Sequence, residues 1–226
     1  MSFLKRIAAW LPASWQSELK RIYFRNQIRH GTFITEEPEF ALLAEFVSDG
    51  DWVVDVGANI GHYTKRLSEL VGCTGRVIAI EPVPETFLLL TANLQYIRHD
   101  NITLLNAAAA ENSGVAGMTI PTFSTGLKNF YQAHLVSEED AELRVLTLSL
   151  DSICLCERQI ALVKIDAEGH EAGVLRGMKE ILRRDRPVMI VETFSEEVID
   201  QMRTVGYSCE RLPGSSNVIF RYTLSE

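Results

Sequence analysis

Cysteine is scarce. The 226 residues hold four, Cys73, Cys154, Cys156 and Cys209, and no CxxC pair. Nothing shows the spacing of a zinc site, so the four read as free thiols of a reducing compartment. Long apolar runs are also missing, and none would span a bilayer. The start, MSFLKRIAAWLPASWQ, has a basic pair, but Pro12 and polar residues cut its apolar stretch short. That argues against a cleavable signal peptide, and a cytoplasmic protein is expected. There is no basic excess. Net charge is −8, so the whole molecule is not built to coat nucleic acid and no nucleic-acid partner is expected. No internal repeat or low-complexity segment occurs.

Hydrophobic content of 46% with 23% charged residues is ordinary for a globular protein. The length suits one α/β domain with a substantial core and a short extension. Charge is unevenly spread. Residues 1–35 carry Lys5, Arg6, Lys20, Arg21, Arg25 and Arg29 against Glu18, which is +5 and leaves −13 for the remainder. The asymmetry points the N-terminus toward an anionic partner, with a solvated helix face as the alternative.

Apolar residues at helical spacing (Phe3, Leu4, Ile7, Ala8, Leu11, then Trp15, Leu19, Ile22, Tyr23) predict two short basic helices separated at Pro12. Glu37-Pro38 opens a helix burying Phe40, Leu43, Phe46 and Val47. Strands are predicted at 52–56, 77–80 and 102–105. Between them lie helices burying Ile60, Tyr63, Thr64, Leu67 and Val71, then Phe87, Leu88, Leu90, Leu94 and Ile97. Strands 160–165 and 187–191 follow, with one helix on Val174, Leu175, Met178, Ile181 and Leu182 and another on Val198, Ile199, Met202 and Val205. Such alternation implies βαβ units and a parallel sheet. Residues 207–212 and 217–222 form a terminal hairpin. Residues 113–150, with strands at 115–119 and 143–148, read as an insertion on the acceptor side. The expected division is a basic helical extension, 1–35, and one α/β domain, 36–226.

The segment Asp55-Val56-Gly57-Ala58-Asn59-Ile60-Gly61 lies at a strand-to-helix junction, where an open parallel sheet presents its ligand crevice. Glycines there let backbone approach a ligand. Glu81 closes the next strand, where an acid can accept both hydroxyls of a ribose. A nicotinamide cofactor would require G-x-G-x-x-G for its pyrophosphate. Here Asn59 stands at the middle glycine, and the third position, in register near Tyr63, is not small. S-adenosylmethionine has no phosphate; Asp55 suits its cationic groups, and N–H groups at the helix start suit its carboxylate.

The segments VDVGANIGHYT (54–64), AIEPVPETF (79–87), NAAAAENSG (106–114) and LVKIDAEGHEAGVLRG (162–177), in that order, resemble the FkbM family of S-adenosylmethionine-dependent methyltransferases. The resemblance covers most of 38–195. It implies a Rossmann-like class I methyltransferase fold, α/β, with a mostly parallel seven-stranded sheet, helices on both faces and a C-terminal antiparallel hairpin. It implies that Asp55, Gly57, Asn59 and Gly61, with Ala58, Tyr63 and Thr64 beside them, bind the methionine end of the cofactor. Glu81 would take the ribose with Pro82 beside it, Asn106 and Ala107 would lie near adenine, and Asp166 to Glu171 would face the methyl group and acceptor. Ala167 departs from a larger aliphatic residue, which affects packing. The implied acceptor is a hydroxyl on a sugar, glycoconjugate or natural product; another small molecule or a protein stays open.

Asp166, Glu168, His170 and Glu171 cluster just after a buried strand, with Glu192 ending the next and Lys164 inside the first. A hydroxyl is a poor nucleophile, so a base that takes its proton should help, by about 10²–10⁴-fold. Asp166, Glu168 and His170 are the catalytic candidates; helix capping is the competing role for each. No metal ligands are assigned, and a divalent ion on these carboxylates is the alternative. Residues 1–30 are expected to touch the inner face of an anionic membrane or, instead, to pack on the domain or a second subunit of a homodimer.

Overall fold

The computed structural model describes residues 13–123, 128–153 and 158–223. The first predicted helix, Phe3 to Leu11, and Cys154 and Cys156 lie outside the described residues. In chain order the elements begin α1 (Ala13–His30), α2 (Pro38–Phe46), β1 (Trp52–Val56), α3 (His62–Val71), β2 (Arg76–Ile80), α4 (Pro84–Leu94) and β3 (Ile102–Leu105). Next come β4 (Ala108–Ala109), β5 (Gly114–Thr119), β6 (His134–Val136), β7 (Leu143–Leu148) and α5 (Leu150–Ile153). The chain closes with β8 (Ile160–Ile165), α6 (Glu171–Arg176), α7 (Lys179–Arg184), β9 (Val188–Glu192), α8 (Glu196–Thr204), β10 (Tyr207–Glu210) and β11 (Asn217–Tyr222).

The near-continuous apolar runs become strands covered on both faces. Val53, Val77, Leu162 and Ile190 pack with Leu43 and Val47 at α2 and with Leu67 and Val71 of α3. Their chain neighbours Val54, Ile78, Val163 and Val191 point the other way, against Val174, Leu175, Ile181 and Met202 of α6, α7 and α8. The sheet order is β10-β11-β9-β8-β1-β2-β3. All neighbours are parallel except β11, which runs antiparallel to both β9 and β10. Strand order reverses between β1 and β8, so the ligand crevice of such a sheet opens beyond Val56 and Ile165.

Several sequence expectations are corrected. Residues 174–182 form two helices instead of one. A Cβ on Gly177 would lie 2.1 Å from the Ala110 carbonyl oxygen, so the chain bends there. The Asp151 carboxylate, in α5, accepts the N–H groups of Glu180 and Ile181 at 3.0 Å each and so caps α7. Leu88 and Val205 are exposed, because the faces that meet the sheet use Thr86, Leu90 and Asn93, and Val198 and Met202. Trp15, Leu19, Ile22 and Tyr23 of α1 are exposed, while Phe24 turns inward against Phe33. The expected insertion is a second sheet, β4-β7-β5-β6, which starts at Ala108 and includes a strand, β6, that its three residues were too short to signal.

Candidate active site

A cleft of about 580 Å³ opens at the predicted switch point, between the C-terminal ends of the large sheet and the small sheet. Of the predicted residues it brings together Gly57, Asn59, Glu81, Pro82, Asp166, Glu168 and His170. The opposite wall comes from the second sheet and its loop, with Met118, Phe130, Tyr131, His134 and Leu135.

Gly57 is required twice. Its φ is +72°, and a Cβ would sit 1.9 Å from the Asp166 carbonyl oxygen. The loops after β1 and β8 therefore meet backbone to backbone, as Asp166 N donating to Val56 O at 3.1 Å also shows. Asn59 and Glu168 hold φ of 49° and 48°, left-handed values that side chains seldom adopt. Both line the cleft.

Glu81 is almost fully buried at the floor. Its carboxylate accepts Asn59 N–H and Val83 N–H at 2.9 Å each. Burial pushes its pKa up to about 7, against the pull of those two bonds and with Asp166 and Asp55 nearby. Asn106 does not line the cleft. Its amide donates to the carbonyls of Glu81 and Pro82, at 2.8 and 3.1 Å, and ties the ends of β2 and β3 together. Ala107, buried beside it, and Ala58 are likewise behind the wall.

Asp55, Tyr63 and Thr64 are also behind the wall. Asp55 is fully buried and accepts Thr64 Oγ1–H at 2.6 Å, while its Oδ1 has no partner among the described residues. Burial raises its pKa, opposed by Lys164. Tyr63 donates to Glu37 at 2.5 Å, and Lys164 Nζ lies 5.1 Å from the tyrosine ring. Gly61, with φ +99°, starts α3 against Leu90. In the loop before α3, Gly57 and Ala58 donate to Ile80 O, Asn59 to Glu81 and Gly61 to Ala58 O.

Lys164 is buried and donates to Asp166 Oδ2 at 3.0 Å. Burial alone would lower its pKa, but Asp166 and Asp55 outweigh this and hold it above the ordinary lysine value. Glu168 is raised to about 7, first by partial burial and then by Asp166, Glu192 and Glu171. Glu192 is raised by burial and Asp166.

His170 occupies the N-cap position of α6, but its side chain makes no capping bond. The ring lies against Gly173, where a Cβ would fall 2.5 Å from Nε2. Partial burial lowers its pKa, only partly offset by Glu171. The imidazole is therefore neutral near pH 7 and can accept a proton. Glu171 faces away and accepts Gly169 N–H at 2.8 Å, closing the turn.

Sequence reasoning missed the wall of Phe130, Tyr131 and His134, whose signal was a lone aromatic cluster in an irregular segment. It also missed Glu37, Glu39 and Asn217. There Glu39, fully buried in the first turn of α2, accepts from Ser215 Oγ at 2.7 Å and from the Asn217 amide.

The site residues fit S-adenosylmethionine on their own chemistry. A glycine cradle that a Cβ would fill, a floor carboxylate for a ribose and the acids Asp166 and Glu168 on the cleft suit a ligand carrying hydroxyls and positive charge.

Comparison with known proteins agrees. The model of the Methyltransferase FkbM domain matches residues 55–209. The hexuronic acid methyltransferase AglP of Haloferax volcanii is 30% identical over 150 residues, covering 66% of this chain and 58% of AglP. The chain thus spans less than two thirds of that relative's length. A protein-L-isoaspartate O-methyltransferase of Methanothrix thermoacetophila is 29% identical over 34% of this chain and 38% of its own. A solved FkbM methyltransferase from Methylobacillus flagellatus superposes with a TM-score of 0.57 at 17% identity, over 82% of this chain and 47% of that one. These matches set aside the nicotinamide alternative. With the strand order, the antiparallel β11 and the cleft at the switch point all in agreement, the chain belongs to the FkbM family of S-adenosylmethionine-dependent methyltransferases and carries their class I fold.

Proposed function

We propose that the protein methylates a hydroxyl group on a sugar or glycoconjugate. The observation that carries this reading is the two-walled cleft. One wall is the Gly57, Asn59 and Glu81 side, and the other is the apolar and aromatic wall of Met118, Phe130, Tyr131 and Leu135. Asp166, Glu168 and His170 lie on the cleft with Glu81, and His134 and Tyr131 face them from the opposite wall. A sugar ring offers an apolar face to an aromatic side chain and hydroxyls to carboxylates. The relative whose name specifies hexuronic acid supports the same acceptor class.

Gly57 and Asn59 would hold the methionine end of S-adenosylmethionine, Glu81 with Pro82 its ribose, and Asp166 the side toward the acceptor. The bound cofactor supplies an electrophilic methyl group on sulfur. The chain's own work is to align the acceptor, exclude water and move one proton. Orientation alone is worth up to roughly 7–11 kcal/mol in favourable cases. Neutral His170 takes the hydroxyl proton at a ring nitrogen, and the acids around it stabilise the resulting imidazolium. Glu168, its pKa raised to about 7, would fix the acceptor through its hydroxyls.

The test is transfer of labelled methyl from S-adenosylmethionine to a panel of oligosaccharides with and without hexuronic acid. The expected product is a base-stable methyl ether. A base-labile ester would move the reaction to a carboxylate, and labelling confined to protein or amine acceptors would overturn the reading.

A further inference from the structure

We propose that the outward face of α1 docks on an anionic membrane surface. Trp15, Leu19, Ile22 and Tyr23 recur at the spacing of a single helix face. They are 64%, 46%, 43% and 59% exposed, so this stripe does not seal to the core as a surface helix normally does. The helix is nevertheless held in place. Phe24 packs edge-on against Phe33 at 6.0 Å, and Lys20 Nζ sits 5.5 Å from the ring of Phe130. The apolar stripe is thus turned outward by packing on the opposite side.

Beside the stripe, Arg21, Arg25 and Arg29 form a row one turn apart. Arg21 and Arg25 line a groove of about 710 Å³ between α1 and α4, which also holds Ile22, Leu88 and Tyr96. Leu88 and Tyr96 are 56% and 44% exposed. The Nε of Arg25 is buried there without a hydrogen-bond partner among the described residues. Glu18 is the acid in this region, at 3.7 Å from Arg21. Guanidinium groups beside exposed Trp, Leu and Ile complement a headgroup layer, with phosphate above and acyl chains below.

Charge selects this occupant over a second copy. The chain is −8 overall, while α1 carries Lys20, Arg21, Arg25 and Arg29 against Glu18. A two-fold pairing of this face would set arginine rows against each other. An anionic bilayer attracts this face and repels the rest of the molecule. Phe130 also lines the active-site cleft, so α1 borders the acceptor wall and docking would hold that wall beside the membrane.

The experiment is flotation of the full chain with phosphatidylcholine vesicles, with and without phosphatidylglycerol. Binding to the anionic vesicles at low salt, loss at about 1 M salt, and a blue shift of Trp15 emission are expected. Arg21→Gln with Arg25→Gln should lower partitioning roughly fivefold per arginine. Leu19→Gln with Tyr23→Gln keeps the charge and alters only exposed positions, and should abolish the blue shift while the thermal midpoint holds. Equal binding to neutral vesicles, or binding indifferent to both variants, overturns the proposal. So does concentration-dependent dimerisation without vesicle binding, which would give the stripe to a second copy.

Discussion

Glu81 offers the sharpest test, because its burial couples folding, pH and ligand binding. Its pKa rises from 4.5 to about 7 in the folded chain. Between those values the native state holds a proton that the unfolded state has lost, so stability falls as pH rises through that window. The full effect is about 3 kcal/mol, present below pH 4.5 and gone above the folded pKa. Glu81→Gln does not titrate. Urea unfolding of both proteins between about pH 5 and 8 should therefore show the wild type losing roughly 2–3 kcal/mol relative to the variant. Groups that titrate alike in both proteins cancel in this difference. Ribose hydroxyls, if Glu81 receives them, favour its ionised form. S-adenosylhomocysteine affinity of the wild type should then rise with pH toward 7, by up to about tenfold per pH unit, and stay flat in Glu81→Gln. A constant stability gap would refute the burial argument. A flat wild-type affinity would remove Glu81 from the ligand.

Three further outcomes follow from the same geometry. Gly57→Ala must hold a side chain at φ +72° and push the Asp166 carbonyl away; it should lose at least about 1–2 kcal/mol, seen as a fall of several degrees in thermal midpoint, together with S-adenosylhomocysteine binding by calorimetry. His170→Ala should lower kcat at least about tenfold and leave S-adenosylhomocysteine affinity unchanged; wild-type kcat would return His170 to a role in the turn. Lys164→Met leaves Asp55 and Asp166 without their buried cation, and should cost about 3–5 kcal/mol in urea unfolding; an unchanged midpoint would show that the acids do not depend on it.

Much of the architecture was legible in the sequence because the inner strands are nearly continuous apolar runs, broken by Asp55 and Lys164. Trp52–Val56 and Ile160–Ile165 were found to the residue, since all their residues but Asp55 and Lys164 are apolar. The break at Gly177 was invisible, because its causes are a carbonyl and a capping carboxylate remote in sequence. The candidate site divides in the same way. Gly57, Glu81 and Asp166 are marked by their places at strand ends. Asp55, Tyr63 and Thr64 stand close to them in sequence but turn into a buried polar network, and residue type alone does not show which way a side chain points. Phe130 and Tyr131 sit in a segment without periodicity, so only the fold brings them to the cleft.

The small sheet has a core of its own, built from Ala108, Met118, Ile120, Ala133 and Val145, and it rests on the large domain through Val83. Its cleft-facing side chains at 130–135 lie apart from the strands that form Gly57 and Glu81. If the proposed roles hold, mutations there alter the acceptor side while the strands that carry Gly57 and Glu81 keep their own contacts. On that reading, a change of acceptor does not require a change in the residues that hold the methyl donor. The two parts meet at Val83, at Ala110 against Gly177 and at Glu111 with Arg176, and those contacts are what a change in either must respect.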